Sequence, residues 1–143
     1  MFNAIDFIPH AEPMVFVDHI VEVGEQYIIT ELCIRPELMF CDETGLPSWT
    51  SIEIMAQSIS AFAGYKGHLH GRAPQIGFLL GTRKLHLPVS HFALGQRLRI
   101  RAEQNYLHDG LAQFDCEIDY AGQKITATLN VFEPTSAQPD VAQ

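Results

Sequence analysis

The chain has 143 residues, 47% of them hydrophobic and 18% charged, which fits one ordinary domain with a real core and rules out wholesale disorder. A formal charge of −8 argues against non-specific nucleic-acid binding, because affinity for phosphates rests on accumulated Lys and Arg. The first residues lack the basic start and long apolar run of a signal peptide, and no stretch reads as a membrane span, so a cytoplasmic protein without nucleic-acid or membrane partners is expected.

In chain order, residues 1–12 form a short segment punctuated by Pro9 and closed by Pro13. Residues 14–23 are rich in β-branched side chains and end at Gly24, which predicts a strand; residues 27–34 predict a second one after a short turn. Pro36 stops that strand, and a loop through Asp42, Glu43 and Gly45 leads to Pro47. Residues 47–65 predict the central element, a helix. Between Ser48 and Gly64 the only ionisable side chain is Glu53, and Ile52, Ala56, Ile59 and Ala63 recur at helical spacing. Ile54, Met55, Ala61 and Phe62 make the other faces apolar, so the rest of the protein is expected to wrap this helix. From Lys66 to Pro74 the composition turns polar, which predicts an exit loop.

The second half reads as β-structure. A strand within residues 75–87 is interrupted by Gly77 and Gly81, where a bulge or a close backbone approach is expected. Residues 97–106, 114–120 and 125–131 alternate with period two, one face buried and one wet. His108-Asp109-Gly110 and Ala121-Gly122 predict the hairpin turns. Arg97, Arg99 and Arg101 stripe one wet face and are expected to pair with Asp115, Glu117 and Asp119 across the hairpin. Two strands, one buried helix and four more strands predict an α+β architecture, an antiparallel β-sheet wrapped around one long central helix. The domain spans residues 1–134, with a flexible tail over residues 135–143. Strand edges and surplus apolar helix surface predict a dimer.

Cys33, Cys41 and Cys116 are odd in number and widely spaced, which points to buried thiols in a reducing compartment. His68 and His70 have no acid or thiolate nearby in sequence, so no metal site is expected. Glu53 has two readings. Burial in an apolar helix raises a carboxyl pKa toward the range useful for acid–base chemistry. Thr50-x-x-Glu53 is also a capping box, in which the acid bonds back to the first helical amides.

Three stretches resemble the hotdog-fold 3-hydroxyacyl-acyl-carrier-protein dehydratases, and specifically a divergent branch found in aryl polyene biosynthesis clusters. Residues 8–20, beginning Ile8-Pro9-His10 and ending Val17-Asp18-His19-Ile20, are similar to the family's "LPHRxPFLLVDR" opening. Leu46-Pro47 followed by Ile52-Glu53-Ile54-Met55-Ala56-Gln57 resembles its "PG…EAMAQ" helix, and Leu87-Pro88-Val89 with Gly95-Gln96 its "RPVVPGD" stretch. The resemblance implies a hotdog fold and dehydration of 3-hydroxyacyl thioesters on acyl carrier protein or coenzyme A, with no cofactor. The active form is then a homodimer or a heterodimer with a related hotdog subunit.

The departure from the family lies in the loop before the helix. The family carries its catalytic histidine there, in "GHFPGxP", and pairs it with the helix acid across the dimer interface. This chain reads Met39-Phe40-Cys41-Asp42-Glu43-Thr44-Gly45-Leu46-Pro47, with no histidine. The resemblance therefore implies Glu53 as the acid, with Asp42 and His10 as the candidate bases. The substrate-binding set is Ser48 and Trp49, whose amides would polarise the thioester carbonyl, together with Gly81. Two alternatives stay open: a thioesterase in which Glu53 or Asp42 activates water, and an inactive acyl-binding subunit that completes a heterodimer.

Overall fold

The structure is a computed structural model and describes residues 2–71 and 77–133. Nine strands and one long helix follow in order: β1 (Phe2–Asn3), β2 (His19–Val23), β3 (Tyr27–Cys33), β4 (Leu46–Pro47), α1 (Ser51–Leu69), β5 (Phe78–His86), β6 (His91–Phe92), β7 (Arg97–His108), β8 (Leu111–Tyr120) and β9 (Gln123–Phe132). Seven strands form one antiparallel sheet in the order β1-β2-β3-β7-β8-β9-β5, and β4 pairs with β6 apart from it. The α+β architecture expected from the sequence is the one observed. The segment expected as a tail, with Arg72 and Pro74 of the expected exit loop, lies outside the described residues.

The alternation in the second half builds the sheet as predicted. Leu98, Ile100 and Ala102 of β7, Phe114, Cys116 and Ile118 of β8, and Ile125, Ala127 and Leu129 of β9 are buried on the helix side. Both hairpins turn through two residues with positive φ, Asp109-Gly110 and Ala121-Gly122, which matches the twist of the strands they join. β5 breaks register at Gly81, as the glycine suggests. The arginine stripe pairs differently from expectation. Arg99 and Arg101 do stand opposite Asp119 and Glu117. However, Arg97 and Arg99 reach Glu31 of β3, and Lys124 of β9 takes Glu117 and Asp119. Arg97, Arg99, Glu117 and Asp119 thus find their partners on the strand to their other side, whereas Arg101 reaches Glu103 on its own strand.

β7, β8 and β9 run a few residues beyond their sequence-based bounds, and two other elements differ more. The strand expected over residues 14–23 begins only at His19, because the amides of Phe16 and Val17 donate to the side-chain Oε1 of Gln57 and not to a neighbouring strand. The helix expected over residues 47–65 begins only at Ser51, after strand β4 and a 3-10 turn over Ser48–Thr50, and runs on to Leu69, where Lys66 donates to the Glu25 carbonyl in the β2–β3 turn. Gly64 marks a close approach, since a Cβ there would lie 1.7 Å from the Phe7 carbonyl oxygen. Of the thiols only Cys116 is buried; Cys33 is exposed and Cys41 intermediate.

The helix is wrapped from two sides. The sheet buries Ile54, Met55, Ser58, Ala61 and Phe62. Residues 4–18 form a strap along an adjacent face, anchored by Ala4, whose amide donates to the Asp18 carbonyl, and by Phe7 against Tyr65 and His68. Ile52, Ala56 and Ala63, expected on a wrapped face, remain half-buried. Among the described residues no helix is long and apolar enough to cross a membrane.

Candidate active site

Glu53 sits in the first turn of α1, where the helix dipole favours a carboxylate. The capping box does not form. Thr50 has helical backbone angles and its hydroxyl donates to the Pro47 carbonyl at 2.7 Å, while the Glu53 side chain turns away from the helix end toward the strap. There its Oε2 lies 3.3 Å from Nε2 of His10 and accepts a hydrogen bond from Nε2 of Gln57 at 3.0 Å. The N-terminal strap thus brings a histidine to the helix acid within one chain.

The electrostatics of Glu53 run opposite to the expectation from sequence. Partial burial pushes its carboxyl pKa up, but the hydrogen bonds from His10 and Gln57 and the attraction of His10 outweigh burial, and the net shift is below the ordinary 4.5. Its side chain keeps 40% of its accessible surface, so desolvation is incomplete and the partners decide the sign. Glu53 is ionised at neutral pH. His10 is less exposed, and its Nδ1 is buried with no hydrogen-bond partner among the described residues. One ring nitrogen thus faces a carboxylate, while the other has no partner among the described residues. His10 also lines a cleft of about 250 Å³ with Pro9, Ser60 and Gly77.

The other candidates are placed elsewhere or otherwise engaged. Asp42 closes a tight turn: its carboxylate accepts from the Thr44 amide at 2.8 Å and its backbone pairs with Gly45 in both directions. No described contact joins it to His10 or Glu53. The Ser48 amide, expected to be free for a carbonyl, donates to the Ser90 carbonyl at 2.9 Å. The Trp49 amide follows it in the 3-10 turn Ser48–Thr50, at a helix start where amides lack intrahelical acceptors. The Trp49 ring is exposed and tilts against Phe40, itself exposed and held at φ 72°. Gly81 lies on β5, where an added Cβ would meet nothing within 4 Å among the described residues.

Sequence reasoning missed Gln57. It is wholly buried, and its carboxamide joins Glu53 to the strap at Met14, Phe16 and Val17. Its position four residues after Glu53, on the same helix face, was the available signal. The extent of the exposed edge was also unanticipated: Phe78, Leu79, Leu80 and Leu85 of β5 are all exposed on the outermost strand of the sheet.

Comparison with known proteins adds three findings. The sequence model of the ApeP-like family, described as ApeP dehydratase, matches residues 2–142. The 3-hydroxyacyl-[acyl-carrier-protein] dehydratase FabZ of Acinetobacter baylyi is 28% identical over 134 residues, covering 88% of this chain and 87% of FabZ. Among solved structures, the dehydratase heterocomplex ApeI:P from Xenorhabdus doucetiae contains a chain that superposes with a TM-score of 0.85 at 24% identity, covering 99% of this chain and 97% of that one. A hypothetical thioesterase with coenzyme A from Streptococcus pneumoniae superposes at 0.59 with 13% identity, over 80% of this chain and 86% of that one. The architecture they share, a curled antiparallel sheet around one helix, is the hotdog fold.

Proposed function

Because the chain belongs to the ApeP-like dehydratase family, we propose that it dehydrates a 3-hydroxyacyl thioester to the trans-2-enoyl form, with His10 and Glu53 as its chemical pair. The observation that carries this reading is the contact between His10 Nε2 and Glu53 Oε2, with His10 Nδ1 unpartnered. The substrate class and its acyl-carrier-protein form rest on likeness to FabZ.

The proposed chemistry needs one imidazole. The Glu53 carboxylate accepts from Nε2–H of His10, which leaves the lone pair on Nδ1. Once substrate displaces the packing that buries Nδ1 in the free chain, the imidazole takes the α-proton beside the thioester carbonyl, the C–H electron pair forms the C=C bond, and the bond from Cβ to the hydroxyl breaks. The imidazolium, stabilised by ionised Glu53, returns the proton to the departing hydroxyl, which leaves as water. Glu53 acts here by orientation and charge, in place of the proton-donor role expected from its burial. The Trp49 amide is the remaining donor at the helix start for the thioester carbonyl.

The working form is proposed to be a dimer through β5, with a second copy or a related hotdog subunit. An exposed apolar strand at a sheet edge favours pairing with another chain. The test is formation of enoyl thioester from 3-hydroxyacyl-acyl-carrier-protein, by the chain alone and by the chain with a related hotdog subunit. Loss of activity in His10→Ala supports the reading. Release of free thiol identifies a thioesterase, and a heterodimer unaffected by His10→Ala and Glu53→Gln assigns the chemistry to the partner.

A further inference from the structure

We infer that Gln57 is a positioning residue for this pair, a single carboxamide that fastens the strap carrying His10 to the helix carrying Glu53 and leaves one oxygen of Glu53 open. The inference rests on the dehydration reading given above. Its Oε1 accepts from the amides of Phe16 at 2.8 Å and Val17 at 3.3 Å; its Nε2 donates to the Met14 carbonyl at 2.6 Å and to Glu53 Oε2 at 3.0 Å. These four bonds use both acceptor sites and both donors of the amide.

That full use fixes the orientation. A flipped amide would set its NH2 against two backbone N–H groups, and its oxygen against a carbonyl and a carboxylate, four repulsive contacts in a buried site. Gln57 therefore offers Glu53 a donor and nothing else. Glu53 Oε2 receives both Gln57 and His10, whereas Oε1 has no hydrogen bond among the described residues. The two oxygens are thereby given different work: Oε2 is held as an acceptor, and Oε1 is open toward whatever enters the site. The same amide sets where the strap lies, and so the distance from His10 to the acid. A helix residue chosen only to fill space would need none of these contacts.

Gln57→Glu keeps the shape and the acceptor side but replaces the donor with an oxygen facing Glu53. Gln57→Leu removes all four bonds at similar volume. In the active assembly, both variants are expected to lower kcat by about tenfold or more, while KM for the 3-hydroxyacyl thioester stays within about threefold. The acid limb of the pH–rate profile moves to higher pH. NMR titration of the Glu53 carboxyl moves upward in both variants whether or not the protein is active. A loss of activity that only follows the fall in melting temperature, with an unchanged pH profile and an unchanged Glu53 titration, overturns the proposal. Wild-type protein inactive in every assembly sinks the dehydratase reading instead, and the Glu53 titration still decides the role of Gln57.

Discussion

His10 Nε2 lies 3.3 Å from Glu53 Oε2, joining the N-terminal strap to the first turn of the central helix within one protein chain. The loop before that helix holds no histidine. An imidazole nevertheless meets the helix acid, arriving from the N-terminal strap that precedes that loop.

If the two act as one unit, their losses do not add. His10→Ala and Glu53→Gln are each expected to reduce enoyl-thioester formation by about 100-fold or more, and the double variant to be no worse than the poorer single one. Independent contributions that multiply would contradict the pairing.

The pH dependence of stability follows from the depressed Glu53 pKa. Its folded-state value lies below the ordinary 4.5. Stabilisation by the carboxylate is therefore present above the unfolded value and is lost as pH falls through the folded one. Melting temperature should decline below about pH 4.5, and Glu53→Gln should flatten its part of that decline. A variant with the same slope as wild type would show that Glu53 is not held by its partners.

Gly64→Ala separates two effects of opposite sign. Helix propensity alone favours alanine by about 1 kcal/mol. The new Cβ would, however, stand 1.7 Å from a backbone oxygen of Phe7, which cannot rotate away. Overpacking of this kind costs about 1–3 kcal/mol, and displacement of the strap adds to it. Thermal unfolding is expected to show net destabilisation, together with reduced activity because the strap carries His10.

Leu80 is exposed on β5 at the edge of the sheet. Leu80→Lys places a charge where strand pairing requires an apolar, unbroken edge. The expected result is a shift from dimer to monomer in analytical ultracentrifugation, with the secondary structure retained. An unchanged dimer would locate the interface on another surface.

Asp42→Ala tests the rival base. Its carboxylate serves the Thr44 amide in a loop turn. The substitution is expected to cost about 1 kcal/mol of stability and to leave kcat within about twofold of wild type. A collapse of kcat in folded protein would return Asp42 to the chemistry.

The alternation of β7, β8 and β9, the Asp109-Gly110 and Ala121-Gly122 turns and the apolar run of α1 are local properties. They specified strands, hairpins and a buried helix before any long-range contact was known. Likewise Glu53 stood out as the one ionisable group in that run. Local pattern could not decide what Glu53 faces. The capping box reading failed because a histidine and a glutamine outcompete the helix's own amides for the carboxylate. The residue 14–23 reading failed at its start for a related reason, since Gln57 takes the backbone bonds a strand would have used. His10, Gln57 and Glu53 meet only when the strap crosses the helix at Gly64. That crossing depends on a missing side chain and on contacts between distant segments, so it was settled by tertiary packing, and with it the sign of the Glu53 pKa shift.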